Sequence, residues 1–333
     1  MSSLRKILGS TIGVILAGSL AACSATGGAA NNRADQTSTG GGVDTPRYVV
    51  AMVTHGAPGD TFWDLVRKGA EDAAKKNNLE LRYSSDPQAP NQANLVQAAI
   101  DAKVDGVAVT LPNADALGPV AKRATEAQIP TVALNAGMDS YQKYDISAFF
   151  GQEEKVAGTQ AGKRLAQEQA KHVLCVIHEQ GNSSQEARCA GVKDGLGADA
   201  TMEILYVNGQ DLTAVQSTMQ AKLAQDPAID WVMGLQAPVA VRAVDAVAAA
   251  GTSTKIATFD TNAELVDAIK TNKVAWAVDQ QPYLQGYLAI DSLWLVKRNG
   301  AVMGGGRPVY TGPSFVDSTN VDAIAEAAQK GLR

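Results

Sequence analysis

The sequence predicts an α/β protein with two doubly wound parallel-sheet lobes joined by a hinge of crossovers. Short apolar runs alternate with amphipathic segments from residue 47 onward, which is typical of repeated βα units with helices on both faces of a parallel sheet. There are more strands than one compact half would hold, and the alternation breaks near Phe150–Gln152 before it restarts. A single eight-stranded βα barrel is the competing architecture.

The first half of the pattern predicts four strands and three helices. The first helix carries Phe62, Leu65, Val66 and Ala70 on one face, the spacing of an amphipathic helix. The predicted elements are strand Tyr48–Val53, helix Phe62–Lys76, strand Leu79–Tyr83, helix Gln92–Ala102, strand Gly106–Thr110, helix Ala114–Gln128 and strand Thr131–Leu134.

The second half repeats the alternation and then departs from it. The long helix after Val278 does not fit the strand–helix alternation of the second lobe. We therefore expect the chain to cross back to the first lobe at this helix. The predicted lobes are 47–150 plus 281–310 and 151–280 plus 311–333. The predicted elements are helix Lys155–Gln169, strand His172–Ile177, helix Gln185–Leu196, strand Met202–Tyr206, helix Leu212–Gln225, strand Trp231–Leu235, helix Pro238–Ala250, strand Ile256–Phe259, helix Ala263–Thr271, strand Val274–Val278 and helices Pro282–Arg298 and Val321–Gln329.

The N-terminus has the pattern of a secretory signal. Arg5 and Lys6 precede an apolar run, Ile7–Ala22, that is short for a permanent membrane span. The run ends in Leu-Ala-Ala-Cys at Cys23, which matches the bacterial lipobox, in which the cysteine is lipidated after cleavage. We therefore expect a signal peptide over residues 1–22. An ordinary signal peptide with a cysteine near its cleavage site is the alternative.

Residues 23–46 predict a lipidated flexible tether. They are almost all Gly, Ser, Thr, Ala, Asn and Asp without apolar periodicity, so they cannot bury enough surface to offset their ordering entropy. We expect an exported protein anchored by lipid to the outer face of the cell membrane, in contact with the membrane through this anchor only.

Charge and cysteine content narrow the class of protein. The chain of 333 residues has a formal net charge of −5 and no basic run, which argues against nucleic acid as a partner. Two of its three cysteines, Cys175 and Cys189, remain once Cys23 is assigned to lipid. In an exported protein this pair predicts a disulfide, with separate buried thiols as the alternative.

Polar residues follow the predicted strands where ligands bind in open parallel sheets, at the carboxyl ends. Only two of them carry charge, so the pattern indicates a ring of hydrogen-bonding groups without a nucleophile. Phe62 and Trp63 open the first helix beside this ring, where they are either packing residues or a stacking face for a sugar. The strand-end residues are Thr54, His55, Asn135, Glu179, Gln236, Asp260 and Gln280.

Enzyme and metal motifs fail on inspection. The segment Gly158–Arg164 resembles a phosphate loop but is one residue short and lies in a helical pattern, so its glycines indicate close helix packing. His178-Glu179 lacks the second histidine of a zinc-protease helix, and three histidines are few for a metal site. We expect no cofactor, no metal and no enzymatic activity.

Several short segments in order resemble one known family. The sequence is similar to the ribose/galactose-type periplasmic binding proteins, the solute receptors of sugar ABC importers, from about Tyr48 to Val316. The segments that carry the resemblance are Asp60–Trp63, Asp105–Val107, Ile129–Val132 before Asn135, Arg188–Gly191, Phe259-Asp260 and Gln280–Pro282.

The resemblance implies roles for individual residues. It places the family's aromatic clamp on Phe62 and Trp63, with Asp60 beside it bonding a ligand hydroxyl. The other implied ligand positions are Asn135, Arg188, Gln210, Gln236, Asp260 and Gln280. The sequence departs from ribose binders at Ala136, where they carry an arginine, and at Gln210, where they carry an aromatic residue.

We therefore expect a monomeric receptor that captures a small neutral sugar or polyol and delivers it to an ABC transporter permease. A receptor of the same fold that serves sensing or chemotaxis is one alternative, and an enzyme acting on a small sugar is another. A transcriptional regulator of this fold is disfavoured by the export signal.

Overall fold

The structure, a computed structural model, describes residues 45–333. Cys23, the predicted signal peptide and most of the predicted tether lie outside the described residues. Thr45, near the end of the predicted tether, is already buried on the body: its carbonyl accepts from Asn78 Nδ2 at 3.1 Å, and its Oγ1 lies 3.4 Å from Trp294 Nε1. The folded body thus begins slightly before the expected residue 47.

The first lobe is built on a six-stranded parallel sheet. Its strand order is β11-β5-β4-β3-β1-β2, so the chain winds outward in both directions from the β1–β3 pair. Its strands are β1 (Val49–Thr54), β2 (Glu80–Ser85), β3 (Gly106–Val109), β4 (Thr131–Leu134), β5 (Phe149–Gly151) and β11 (Val309–Tyr310).

The second lobe has the same architecture. Its strand order is β12-β10-β9-β8-β6-β7, and every pair is parallel except β10–β12, which is antiparallel. Its strands are β6 (His172–Ile177), β7 (Thr201–Tyr206), β8 (Trp231–Gly234), β9 (Lys255–Phe259), β10 (Trp276–Asp279) and β12 (Ser314–Asp317).

Helices cover both faces of each sheet, which explains why the central strands are buried along their length. The helices are α1 (Thr61–Lys76), α2 (Ala89–Asp101), α3 (Ala114–Glu126), α4 (Glu154–Gln167), α5 (Ser183–Leu196), α6 (Leu212–Gln225), α7 (Ala237–Ala250), α8 (Ala263–Lys270), α9 (Pro282–Asn299) and α10 (Asp322–Gln329).

Glycines let two helix pairs approach closely. A Cβ on Gly69 of α1 would lie 1.9 Å from the Tyr283 carbonyl of α9, and one on Gly286 would lie 1.9 Å from the Val66 carbonyl. Helix α9 therefore packs on the first lobe, as expected from its missing partner strand. Gly158 and Gly191 play the same part between α4 and α5, which confirms the packing interpretation of the Gly158–Arg164 segment.

The architecture excludes the barrel alternative, because two separate open sheets form. Three short strands, β5, β11 and β12, were not predicted; each has four residues or fewer. They flank the crossovers of the chain between the lobes, which follow β5, β10 and β11. In residues 45–333 no helix is both long and apolar enough to cross a bilayer.

Candidate functional site

The carboxyl ends of the two sheets face each other across a cavity with about 310 Å³ of empty space, part of which is open to solvent. The cavity is lined by residues of both lobes: His55, Phe62, Trp63, Asn135, His178, Glu179, Asn182, Ser184, Gln185, Arg188, Leu235, Gln236, Asp260 and Gln280.

The first lobe contributes an aromatic corner. The Phe62 and Trp63 rings meet edge to face with centroids 5.1 Å apart, and His55 meets Trp63 at 4.6 Å. Gly56 makes room for this arrangement, since a Cβ there would lie 2.5 Å from Trp63 Cγ. Both aromatic side chains are buried yet line the cavity, so the packing and stacking interpretations of Phe62 and Trp63 are compatible.

The second lobe contributes a buried arginine with a fixed orientation. Arg188 donates from Nε and Nη2 to the two carboxylate oxygens of Glu154, at 2.6 and 2.9 Å, and from Nη1 to the Leu235 carbonyl at 3.2 Å. A guanidinium has five N–H groups, so two remain for a ligand. The close α4–α5 contact at Gly158 and Gly191 brings Glu154 and Arg188 together.

A chain of polar side chains connects the lobes across the cavity. Asn135 Nδ2 donates to Gln280 Oε1 at 3.3 Å, and Gln280 Nε2 donates to Asp260 Oδ1 at 2.7 Å. The other Asp260 oxygen lies 3.9 Å from Arg188 Nη1. Asn135 and Asp260 both have positive φ, 64° and 65°, a conformation in which Asn and Asp are enriched among non-glycine residues.

Burial dominates the electrostatics of the cavity. Desolvation raises the pKa of Asp260 to about 7, although Arg188 and the Gln280 hydrogen bond oppose the shift. Desolvation likewise raises the pKa of Glu179 to about 7, against the hydrogen bond from Asn182. Burial acts to lower the pKa of Arg188, but the Glu154 ion pair outweighs it and keeps that pKa above its ordinary value.

Direct contacts between the lobes close the outer side of the cavity. Ser183 N–H donates to the Pro112 carbonyl at 3.1 Å, and Asn182 Nδ2 lies 3.4 Å from His55 Nε2. Gln236 Nε2 donates to both Asp60 oxygens at 2.8 Å. The described conformation is therefore the closed one.

The structure brings seven of the ten predicted ligand positions to the cavity and places three elsewhere. Thr54 is fully buried and bonds Tyr83, so it supports the loop after β1. Asp60 caps α1 by accepting from Phe62 N–H at 2.9 Å and bonds Gln236. Gln210 is exposed because it follows β7, the edge strand farthest from the centre of the sheet.

Several lining residues were not assigned to the ligand from sequence. Asn182, Ser184 and Gln185 belong to the N-terminus of α5, and a strand-end rule does not find them. The Asn182 side chain accepts from Ser184 N–H, a helix-capping signal that the sequence does contain. His178 was considered only as part of a failed metal motif. Glu154 lies behind Arg188 on another helix.

Comparisons with known proteins agree with this architecture. Residues 50–300 match the family model described as a periplasmic binding protein domain. The chain is 50% identical to a carbohydrate transporter from Acidothermus cellulolyticus solved in complex with myo-inositol, with a TM-score of 0.85 over 86% of this chain and 100% of that one.

More distant relatives share the fold. A solute-binding protein of an ABC transporter from Agrobacterium vitis, solved with bound D-fucose, is 25% identical, with a TM-score of 0.75 over 84% of this chain and 99% of that one. The ribose import binding protein of Bacillus subtilis is 22% identical over 69% of this chain and 76% of its own length.

Two facing lobes and a polar cavity between them define a protein that binds a small solute. The match over residues 50–300 then places the chain in a particular family. It belongs to the periplasmic binding proteins, and within them to the sugar-binding components of ABC transporters, which act outside the cytoplasm.

Proposed function

We propose that this protein captures a neutral cyclic polyol of the inositol class, or a monosaccharide of similar size, and presents it to an ABC importer. The observation that carries the proposal is the polar cavity between the lobes, to which both lobes contribute hydrogen-bonding groups. Such a cavity forms fully only when the lobes meet, so binding is coupled to closure.

The charges at the cavity favour a neutral ligand. Its one guanidinium, Arg188, is already paired with Glu154 at 2.6 Å, and Asp260 lies 3.9 Å from it. Together with Glu179, the carboxylates outnumber the cation. A phosphate or carboxylate group would therefore meet no uncompensated positive charge here, whereas hydroxyl groups can donate to the carboxylates and accept from the guanidinium.

The aromatic corner supports a ligand with a C–H face. Phe62 and Trp63 present apolar surface to the cavity, and Leu235 adds an aliphatic patch. A cyclic polyol has a ring of C–H groups beside its hydroxyls and fits such a mixed lining. The myo-inositol bound to the 50% identical relative points to the same ligand class for this protein.

Calorimetry of the purified protein tests the proposal. We expect myo-inositol to bind in a saturable 1:1 manner, more tightly than inositol monophosphate, because the phosphate would lack a free cation. D-ribose, D-galactose and D-fucose complete the panel. A protein that binds none of the neutral polyols and sugars, or that prefers the phosphate ester, would contradict the proposed ligand class.

We further propose that the protein returns its ligand unchanged. Arg188 and the carboxylates near it are engaged with one another, and no nucleophile with an adjacent base was recognised in the sequence. Proton NMR of myo-inositol after prolonged incubation with the protein should show no new species. Conversion that scales with protein concentration and is lost in an Arg188 variant would indicate an enzyme.

Anchoring by lipid at Cys23 and a monomeric state complete the proposal. The Leu-Ala-Ala-Cys motif and the polar tether support the anchor. Cys23→Ala should release the protein from membranes, and mass spectrometry of the native protein should find a lipid on Cys23. Unmodified Cys23 in a membrane-free native protein would exclude the anchor. Sedimentation of the protein without its anchor should give one protomer.

A further inference from the structure

His178 is a buried cavity residue to which no role has been assigned so far. It directly follows β6, and only 7% of its surface is exposed. Burial lowers its pKa to about 3, with a smaller contribution from Arg188. At physiological pH its ring is therefore neutral, so one ring nitrogen is a hydrogen-bond donor and the other an acceptor.

The hydrogen bonds around Gln185 determine which nitrogen carries the proton. Gln185 Oε1 accepts from the backbone N–H groups of His178 at 3.0 Å and Glu179 at 3.2 Å. Since the oxygen is fixed by these two donors, the amide nitrogen Nε2 faces His178 Nε2 at 3.1 Å. The amide nitrogen only donates, so His178 Nε2 is the acceptor and the proton sits on Nδ1.

This Nδ1–H group has no hydrogen-bond partner among residues 45–333. The opposite edge of the ring packs against the loop after β7, where a Cβ on Gly209 would lie 2.9 Å from Cδ2. Nδ1 lies across the ring from Cδ2 and therefore faces away from that loop. A buried donor without a partner is unusual in folded proteins.

The second buried histidine differs in this respect. His55 also lines the cavity, but its Nδ1 lies 2.7 Å from Thr110 Oγ1 and its Nε2 lies 3.4 Å from Asn182 Nδ2. Both of its ring nitrogens thus have neighbours within the protein. Of the two cavity histidines, His178 is the one with a donor left over.

We propose that His178 is a specificity-determining residue whose Nδ1–H donates a hydrogen bond to a hydroxyl oxygen of the bound polyol. Gln185 acts as its positioning residue, because it holds the ring in the tautomer that can donate. The inference rests on the proposed function and specifies one protein atom that binds the ligand.

Nitrogen-15 NMR of histidine-labelled protein tests the inference directly, because the chain has three histidines and so three ring systems. We expect His178 to show the Nδ1–H tautomer without ligand. On saturation with myo-inositol its Nδ1 resonance should shift and its proton should exchange more slowly with water. His172 serves as the internal control, since it lies at the start of β6 beside Glu203 and Asp226.

A double-mutant cycle identifies the hydrogen bond. His178→Phe keeps a planar ring but removes the donor, and it should weaken myo-inositol binding about ten-fold, the usual size for one buried hydrogen bond. Against the mono-deoxy inositol that lacks the partner hydroxyl, the same substitution should have no further effect. His172→Phe, the matched control, should leave binding unchanged.

The outcomes separate this inference from the proposed function. If the wild-type protein binds myo-inositol while His178 keeps an Nε2–H tautomer or an unchanged Nδ1 resonance, the inference is wrong and the proposed function stands. If neither myo-inositol nor any sugar of the panel binds, the proposed function fails, and the inference, which rests on it, fails with it. The NMR result on the wild-type protein tests the His178 hydrogen bond even if the His178→Phe variant does not fold.

Discussion

Asp260 is a carboxyl residue that lines the cavity and has an unusual backbone conformation. It has a φ of 65°, accepts from Gln280 at 2.7 Å and lies 3.9 Å from Arg188. The positive φ makes alanine an unsuitable replacement, because a residue without a short polar side chain is strained there. Asparagine tolerates this backbone and still accepts from Gln280, so it isolates the effect of the charge.

Asp260→Asn should therefore weaken ligand binding strongly without unfolding the protein. The expected loss is about 30- to 150-fold, equivalent to about 2–3 kcal/mol for one buried charged hydrogen-bond partner. Calorimetry with myo-inositol measures it. Asp267→Asn makes the same charge change on the exposed side of α8 and should bind like the wild type. Equal affinity in the two variants would place the ligand elsewhere.

Ligand binding should depend on pH through the carboxylates in the cavity. Burial raises the pKa of Asp260 and of Glu179 to about 7, so both are partly protonated below pH 7 in the ligand-free protein. A hydroxyl group that donates to the Asp260 carboxylate favours its ionised form. Binding should then release protons near pH 6, and affinity should rise from pH 6 to pH 8.

Calorimetry in two buffers of different ionisation enthalpy counts the released protons. The free energy of unfolding of the ligand-free protein should instead decrease as the pH rises. Its folded state holds these protons more tightly than the unfolded chain does, so the contribution of the two groups falls as pH rises from about 4 to about 7. Proton uptake on binding at pH 6 would contradict an ionised Asp260 in the complex.

At the scale of elements, the α4–α5 pair determines where Arg188 lies. A Cβ on Gly191 would approach the Lys155 carbonyl to 2.3 Å, and that carbonyl cannot move without shifting α4. Glu154, which holds Arg188, belongs to the first turn of the same helix. Helix packing and ligand binding are therefore coupled in this lobe.

Gly191→Ala should lower both stability and affinity, although alanine favours a helix by about 1 kcal/mol over glycine. Overpacking at a backbone contact costs typically about 1–3 kcal/mol, which outweighs that gain. Denaturant unfolding and calorimetry measure the two effects. Ala190→Gly, at the exposed neighbouring position, measures the effect of helix propensity on stability without a change in packing. Increased stability in Gly191→Ala would show that α4 adapts freely.

A disulfide connects α5 to strand β6 of the second sheet. Cys175 of β6 is bonded to Cys189, the residue next to Arg188, with an S–S distance of 1.98 Å. The oxidised, denatured protein should therefore have at most one titratable thiol, at Cys23. Cys175→Ser should reduce stability by about 3 kcal/mol, the value expected for a loop of about 15 residues. Two or more titratable thiols would contradict the bond.

The elements also show what the sequence could and could not predict. The periodicity of apolar residues located the helices, because each helix buries one face. It also located the strands that run through the buried centre of a sheet. It missed β5 and β11, which have three residues and two, and it missed β12, an edge strand of four residues in which only one position is fully buried. The Glu154–Arg188 ion pair could not be predicted from the sequence either, because it joins two helices across a tertiary contact.

At the site, the rule that ligands bind at strand carboxyl ends named Asn135, Gln236, Asp260 and Gln280, and all four line the cavity. Gln210, which only the family resemblance implied, follows the edge strand β7 and does not line this cavity, and the sequence alone does not give strand order. The rule also did not identify His178, because the role proposed for its ring depends on the orientation of the Gln185 amide.

At the scale of the whole molecule, the three crossovers define a hinge. They follow β5, β10 and β11, and Gln280 and Thr311 lie within them, both bonded to Gln285. We propose that residues 47–150 plus 281–310 and residues 151–280 plus 311–333 move as two rigid bodies about this hinge. Interlobe bonds such as Gln236–Asp60 form only on closure.

The central claim is that a cyclic polyol binds between the lobes, and a crystal structure of the protein grown with myo-inositol tests it most directly. We expect density for one inositol in the cavity, with hydroxyls within hydrogen-bond distance of Arg188, Asp260 and His178 and one ring face against Trp63. An inositol that binds in solution but occupies another surface of the molecule, with this cavity empty, would contradict the account.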